Sequence, residues 1–141
     1  MQRGPIPRTM GGHQQFTCST TADPVRVWQA LIQPEQTRAY LYGLAAHSCW
    51  EVDADIEFRH EKHTLAGQVM HADEPCRLSY YLTAGPDDLP TYVTWQVRPS
   101  PAGSTIRLQI DETDPAVADT DEEAEDTWLP VLAALQRHLE S

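Results

Sequence analysis

The sequence predicts an α+β fold in which a curved antiparallel sheet of about seven strands grips a long C-terminal helix. Three observations lead there. Nearly everything between Ser48 and Glu112 reads as short alternating stretches. Ahead of them, Asp23 to Glu35 carries the signals of a capped helix, with a second short helix directly behind it. Trp128 to Glu140 then closes the chain with another apolar helical stripe. A sheet must bury one face, and a single long helix laid in its curve does so while leaving room for a cavity.

The elements follow in order. Gln14 to Thr20 is short and rich in strand formers. Asp23 is an N-cap and Pro24 takes the first helical position, where its missing N–H costs nothing. Val25, Trp28, Leu31 and Ile32 fall on one face of that helix. Pro34 ends it and begins the next, over Glu35 to Leu41, whose start is soft because Gln33 is a poor cap. Cys49 to Val52 is expected as a strand, then Asp55 to His60 with Ile56 and Phe58 on one face. Glu61-Lys62 is the hairpin tip, and Leu65, Gly67 and Val69 alternate after it. Asp73-Glu74-Pro75 turns the chain into Arg77 to Leu82, where Leu78, Tyr80 and Leu82 are in phase. Ala84 to Pro90 is a loop, and Tyr92 to Arg98 places Val93, Trp95 and Val97 together. Ser100 to Gly103 turns into Thr105 to Ile110, with Ile106, Leu108 and Ile110 on one side. Thr120 and Glu123 have capping-box spacing, and Ala124, Trp128, Leu132, Leu135 and Leu139 trace the face of the last helix. Pro130 lies inside it, at a cost of about 3 kcal/mol, and should kink the helix rather than break it.

Composition excludes several classes. With 141 residues the chain is long enough for one domain with a core of its own, here residues 13–141. Residues 1–12 hold two Arg, two Pro and three Gly without an apolar run, and are expected as a disordered tail and not a secretory signal. No stretch approaches the roughly 20 apolar residues that span a bilayer. Cys18, Cys49 and Cys76 lie far apart without a C-x-x-C pair, which points to reduced, mostly buried thiols and a cytoplasmic setting. The net charge of −11 is local: Asp111, Glu112, Asp114, Asp119, Asp121, Glu122, Glu123, Glu125 and Asp126 leave about −2 for the rest. With no basic stripe interleaved with aromatics, nucleic acid is not an expected partner. The acidic run reads as a solvated loop feeding a helix start, and as a surface available to a basic protein partner.

Order and spacing together resemble one branch of the SRPBCC superfamily, similar to the C-terminal domain of the activator of heat-shock protein 90 ATPase. Ala22-Asp23-Pro24-Val25-Arg26-Val27-Trp28 through Pro34-Glu35 looks like its opening helix. Gly67-Gln68-Val69 followed by Glu74-Pro75-Cys76-Arg77-Leu78-Ser79-Tyr80 resembles its central hairpin. Gly103-Ser104-Thr105-Ile106-Arg107-Leu108 is similar to its Gly-Thr-x-Leu strand, and Trp128 with Leu132, Leu135 and Leu139 matches its end helix. The likeness spans residues 14–140 and implies the START/Bet v 1-like helix-grip fold. It also implies either a small-molecule binder or a co-chaperone-like interaction module. The chain departs from the branch at Val52-Asp53-Ala54-Asp55, where Gly-Gly or Pro-Gly is usual.

No residue set asks for catalysis. There is no G-x-S-x-G, phosphate-cradling Gly loop or carboxylate pair, and an enzymatic role rests on analogy of fold alone. His60-Glu61-Lys62-His63 lacks the H-E-x-x-H spacing and falls on a hairpin tip, so even with His47 and His71 nearby no metal or cofactor is expected. The aromatics are the better candidates. Trp50, Phe58, Tyr80 and Trp95 come from separate predicted strands and, with Val69, Leu108, Trp128 and Leu132, either pack as plain core or border a cavity between sheet and helix. A small hydrophobic molecule would be the ligand, with the Tyr80 hydroxyl and the Trp50 and Trp95 indole N–H groups as polar handles.

Overall fold

A computed structural model describes residues 13–83, 90–112 and 121–140. Strand β1 (His13–Thr20) is followed by helices α1 (Pro24–Ile32) and α2 (Pro34–Tyr40). Strands β2 (Ala45–His47), β3 (Asp55–Arg59), β4 (Thr64–Asp73), β5 (Arg77–Thr83), β6 (Thr91–Ser100) and β7 (Gly103–Glu112) come next, then helix α3 (Asp121–Leu139). All seven strands form one antiparallel sheet in the order β1-β7-β6-β5-β4-β3-β2. The first strand thus closes onto the last, and everything between is a meander of hairpins. The predicted tail, the loop over 84–89 and Thr120 of the capping box lie outside the described residues, as do Asp114 and Asp119 of the acidic run.

Local chemistry explains the helices. The Asp23 carboxylate accepts from the Arg26 N–H at 2.8 Å, and Pro24 occupies the first turn. Gln33 caps α2 without a side-chain bond to a backbone N–H, its Oε1 accepting from the Gln36 side chain instead, which is the soft start its residue type implies. The buried face of α1 differs from the predicted one. Val27, Trp28, Ala30 and Leu31 are buried, whereas Val25 is 53% exposed. Apolar residues surround this nine-residue helix on three sides, so periodicity alone could not choose between adjacent faces. Helix α3 runs unbroken through Pro130, which sits on the exposed side where water can serve the freed carbonyl. It buries Trp128, Val131, Leu132, Leu135 and Leu139, packing chiefly on β1 and α2.

One strand and the burial of the thiols differ from expectation. Cys49 to Val52 is not a strand; the edge strand is Ala45–His47, and the following loop places Trp50 at φ 60° and Asp53 at φ 71°. Val52 is exposed, so its apparent alternation with Trp50 had no core to serve. Ala45-Ala46-His47 has weak strand propensity and is held by its surroundings. Ala46 pairs with Phe58, and its N–H donates at 2.9 Å to the Thr37 hydroxyl of α2. The thiols were expected mostly buried; Cys18 is half-buried, while Cys49 and Cys76 are exposed and all three are free. Being small and weakly polar, cysteine is tolerated on a loop or turn as readily as in a core.

Curvature begins at β4. Gly67 pairs with Leu82 and Ile56, and a Cβ there would stand 2.1 Å from the Tyr81 carbonyl oxygen. Two residues on, the register with β5 slips between Val69 and His71, leaving Met70 as a bulge that bends the strand.

Candidate functional site

Side chains that share the concave face meet in rows set by strand register. Val69, Tyr80, Val93 and Ile110 form one row across β4, β5, β6 and β7; Leu78, Trp95 and Leu108 form the next. Phe58 reaches the first row from β3, its ring centroid 5.5 Å from that of Tyr80. Trp50 approaches Tyr80 edge-on at 6.4 Å, although it arrives from a loop and not from the strand expected. Phe58, Val69, Trp95 and Leu108 are fully buried, Tyr80 nearly so, and Trp50 is half-buried. Trp128 and Leu132 enter the same core from α3, and Trp128 makes no ring contact with the four aromatics of the sheet side.

One polar contact organises this apolar interior. The Trp95 indole N–H donates to the Tyr80 hydroxyl at 3.2 Å. That bond answers the indole and one lone pair of Tyr80; the hydroxyl proton has no acceptor among the described residues. A buried O–H without an acceptor costs about 1–3 kcal/mol, so this proton is an open valence at the centre of the cluster. Burial pushes the Tyr80 hydroxyl up to about 12, with the Trp95 bond pulling weakly the other way. At neutral pH Tyr80 therefore keeps its proton and is a neutral hydrogen-bond donor.

Tyr40 was not singled out from the sequence and belongs to the same cluster. Its ring meets Trp95 edge-on at 6.1 Å, and its hydroxyl donates to the Ala30 carbonyl at 3.0 Å, tying α2 to α1. Burial raises its hydroxyl well above the ordinary tyrosine value. The spacing of Thr37, Tyr40 and Leu41 on α2, all buried, was the available signal. Cys18, on β1, is raised to about 11 by burial and by Glu140, so it stays a thiol. His60 and His63 stack at the hairpin tip, 5.0 Å apart, and no group of three His, Cys, Asp or Glu among the described residues is placed to hold a metal. No helix among the described residues is long and apolar enough to cross a membrane.

The family model described as "Activator of Hsp90 ATPase homolog 1-like protein" matches residues 21–140. No curated protein matches the chain. Among solved structures, protein MLL2253 of Mesorhizobium loti superposes with a TM-score of 0.78 at 21% identity, covering 90% of this chain and 96% of its own. ChR145 of Cytophaga hutchinsonii gives 0.75 at 23% identity, with 90% and 92% covered. CalU16 of Micromonospora echinospora gives 0.66 at 15%, with 90% and 73% covered. At these identities the structures speak to fold alone, and they agree with the helix-grip arrangement of seven strands and a C-terminal helix. The family model covers most of the sequence, and the chain belongs to the activator of Hsp90 ATPase homolog 1-like family of SRPBCC proteins.

Proposed function

We propose that this protein binds a small, largely apolar molecule between the concave face of the sheet and α3. The observation that carries this reading is the buried Tyr80 hydroxyl, which accepts from Trp95 and has no acceptor for its own proton among the described residues. A ligand bearing a carbonyl or ether oxygen would complete that bond while its apolar body displaces contacts among Phe58, Val69, Trp95 and Leu108. Each square ångström of apolar ligand surface removed from water would contribute about 25 cal/mol. Trp50, half-buried on its loop against Tyr80, is the side chain that can move aside for entry. Trp128 and Leu132 line the helix side in this reading. Three free thiols, two of them exposed, suit a reducing compartment such as the cytoplasm.

The first test is native against denaturing mass spectrometry of freshly purified protein, with solvent extraction of whatever is released. A discrete apolar adduct is expected. A second arm titrates the neutral dye Nile red against the protein and its Tyr80→Phe variant, which keeps the ring and removes the proton. A clean apo mass together with no saturable Nile red binding overturns the reading.

The family match favours one further reading, a protein-interaction module acting on a chaperone. Here the acidic segment over 111–126 would face a basic partner. Stimulation of a purified Hsp90 ATPase, lost when Asp121, Glu122 and Glu123 are changed to Asn or Gln, would favour this module over the binder. An ATPase rate indifferent to the protein would remove it.

A further inference from the structure

We propose that the β2 end of the sheet carries a second, separate site that takes an oxyanion, with a phosphate-bearing small molecule as its ligand class. A concavity of about 410 Å³ lies there between α2, β2, β3 and the hairpin tip, lined chiefly by Arg38, Gly43, His47, Arg59, His60 and Glu61. That volume falls in the range of small-molecule pockets. None of the eight apolar candidates of the interior contributes to it, so it stands or falls independently of the ligand proposed above.

The donors are specific. Arg38, in the last turn of α2, has no hydrogen-bond or ion-pair partner among the described residues, in a chain whose net charge is −11. Arg59 engages Glu57 through Nε, which leaves its two terminal nitrogens for a ligand. The Nδ1 atom of His60 accepts from the Lys62 N–H at 3.3 Å, so the neutral ring carries its proton on Nε2. That edge of the ring faces the turn after α2: a Cβ on Gly43 would stand 3.0 Å from His60 Cδ2 and 3.3 Å from Nε2. Gly43, at φ 84°, is thus the residue that lets the turn close against the imidazole. Stacking on His63 holds the ring in place.

Charge alone does not make the site. Glu61 lines the same concavity and Glu57 offsets Arg59, so recognition rests on directed donors and on the unanswered Arg38. A planar carboxylate is satisfied by a single guanidinium fork. Donors that arrive from a helix, two strands and a hairpin tip suit a tetrahedral anion better, and the spare volume leaves room for the organic part of a phosphate ester.

The test uses the full ¹⁵N-labelled chain, titrated with inorganic phosphate at constant ionic strength held by chloride, with acetate as a parallel arm. Saturable shifts of the Gly43 amide and the His60 ring are expected with phosphate, about tenfold weaker with acetate. Arg38→Gln should weaken phosphate binding by about tenfold and Arg38→Lys by less, because Lys keeps the charge without the fork. Arg38 is exposed, and an otherwise unchanged spectrum confirms that each variant is folded. Linear, non-saturating shifts, or equal binding by Arg38→Gln, overturn the site. Acetate binding as tightly as phosphate overturns the ligand class.

Discussion

The interior of β3 to β6 brings aromatic rings to close quarters and the β2 end of the same sheet brings histidine rings there, but the two are held differently. In the interior, register does the positioning: Trp95 lies between Leu78 and Leu108 because antiparallel pairing puts it there. At the β2 end, three residues of strand depend on a hydroxyl from α2, and the loop beyond them relies on two left-handed non-glycine residues. The interior is paired on both sides by neighbouring strands; the β2 end is paired on one side only, with α2 supplying the other contact. A protein that must admit a ligand is best served by having its adjustable segment beside its packed one, and Trp50 sits where the two regions meet.

The contrast can be broken by substitution, beginning with the largest effect. Trp95→Ala should cost about 3–5 kcal/mol of stability in urea unfolding, since it empties a fully buried site and removes the partner of Tyr80. Trp50→Ala should cost under about 1.5 kcal/mol, because it is half-buried and Ala at φ 60° is no more strained than Trp. Equal losses from the two would mean that the loop is as rigid as the sheet.

Thr37→Val comes next, at about 1–3 kcal/mol, because it leaves the buried Ala46 N–H without an acceptor. Hydrogen exchange should then accelerate at Ala46 while the amide of Val93 stays protected. Uniform acceleration across both would erase the proposed boundary.

Asp53→Gly should act in the opposite direction and stabilise by about 0.5–1 kcal/mol, since glycine adopts the left-handed conformation without a Cβ penalty. A rise in melting temperature with unchanged spectra would show that the loop, and not the sheet, carries the strain.

The smallest effect is on pH dependence. Desolvation, helped by Arg26, holds the His138 imidazole below its ordinary value of 6.5, while its Nε2 contacts Gln36 at 3.0 Å. The unfolded chain therefore takes up this proton first. The contribution of His138 is fully present above about pH 6.5 and declines as pH falls toward its folded value. Melting curves from pH 7.5 to 5.5 should show a small loss that His138→Gln abolishes; an identical loss in that variant would assign it to other groups.

Most of the architecture was legible in the chain. The Asp23-Pro24 start, the tip at Glu61-Lys62, the turn at Asp73-Glu74-Pro75 and the alternating strands from Ile56 to Ile110 rest on local rules, and the structure places them as read. The turn at Val52-Asp53-Ala54-Asp55 is instructive. Where the family usually has glycine, Asp53 adopts the left-handed backbone itself, which a short polar side chain tolerates. Trp50 was legible as an aromatic and not as a loop residue, because its neighbours Cys49 and Val52 alternate with it as a strand would.

What the sequence alone determined is the set of residues that must leave water and the period with which they do so, because hydrophobic patterning and capping act over a few residues. Only the tertiary structure decided that Ala45–His47 is a strand, that Val25 faces solvent, that Tyr40 leans on Trp95 and that the Trp95 indole satisfies itself on Tyr80. Each of these depends on a partner many residues away, and a pairwise contact between distant residues has no signature in the local order of either one.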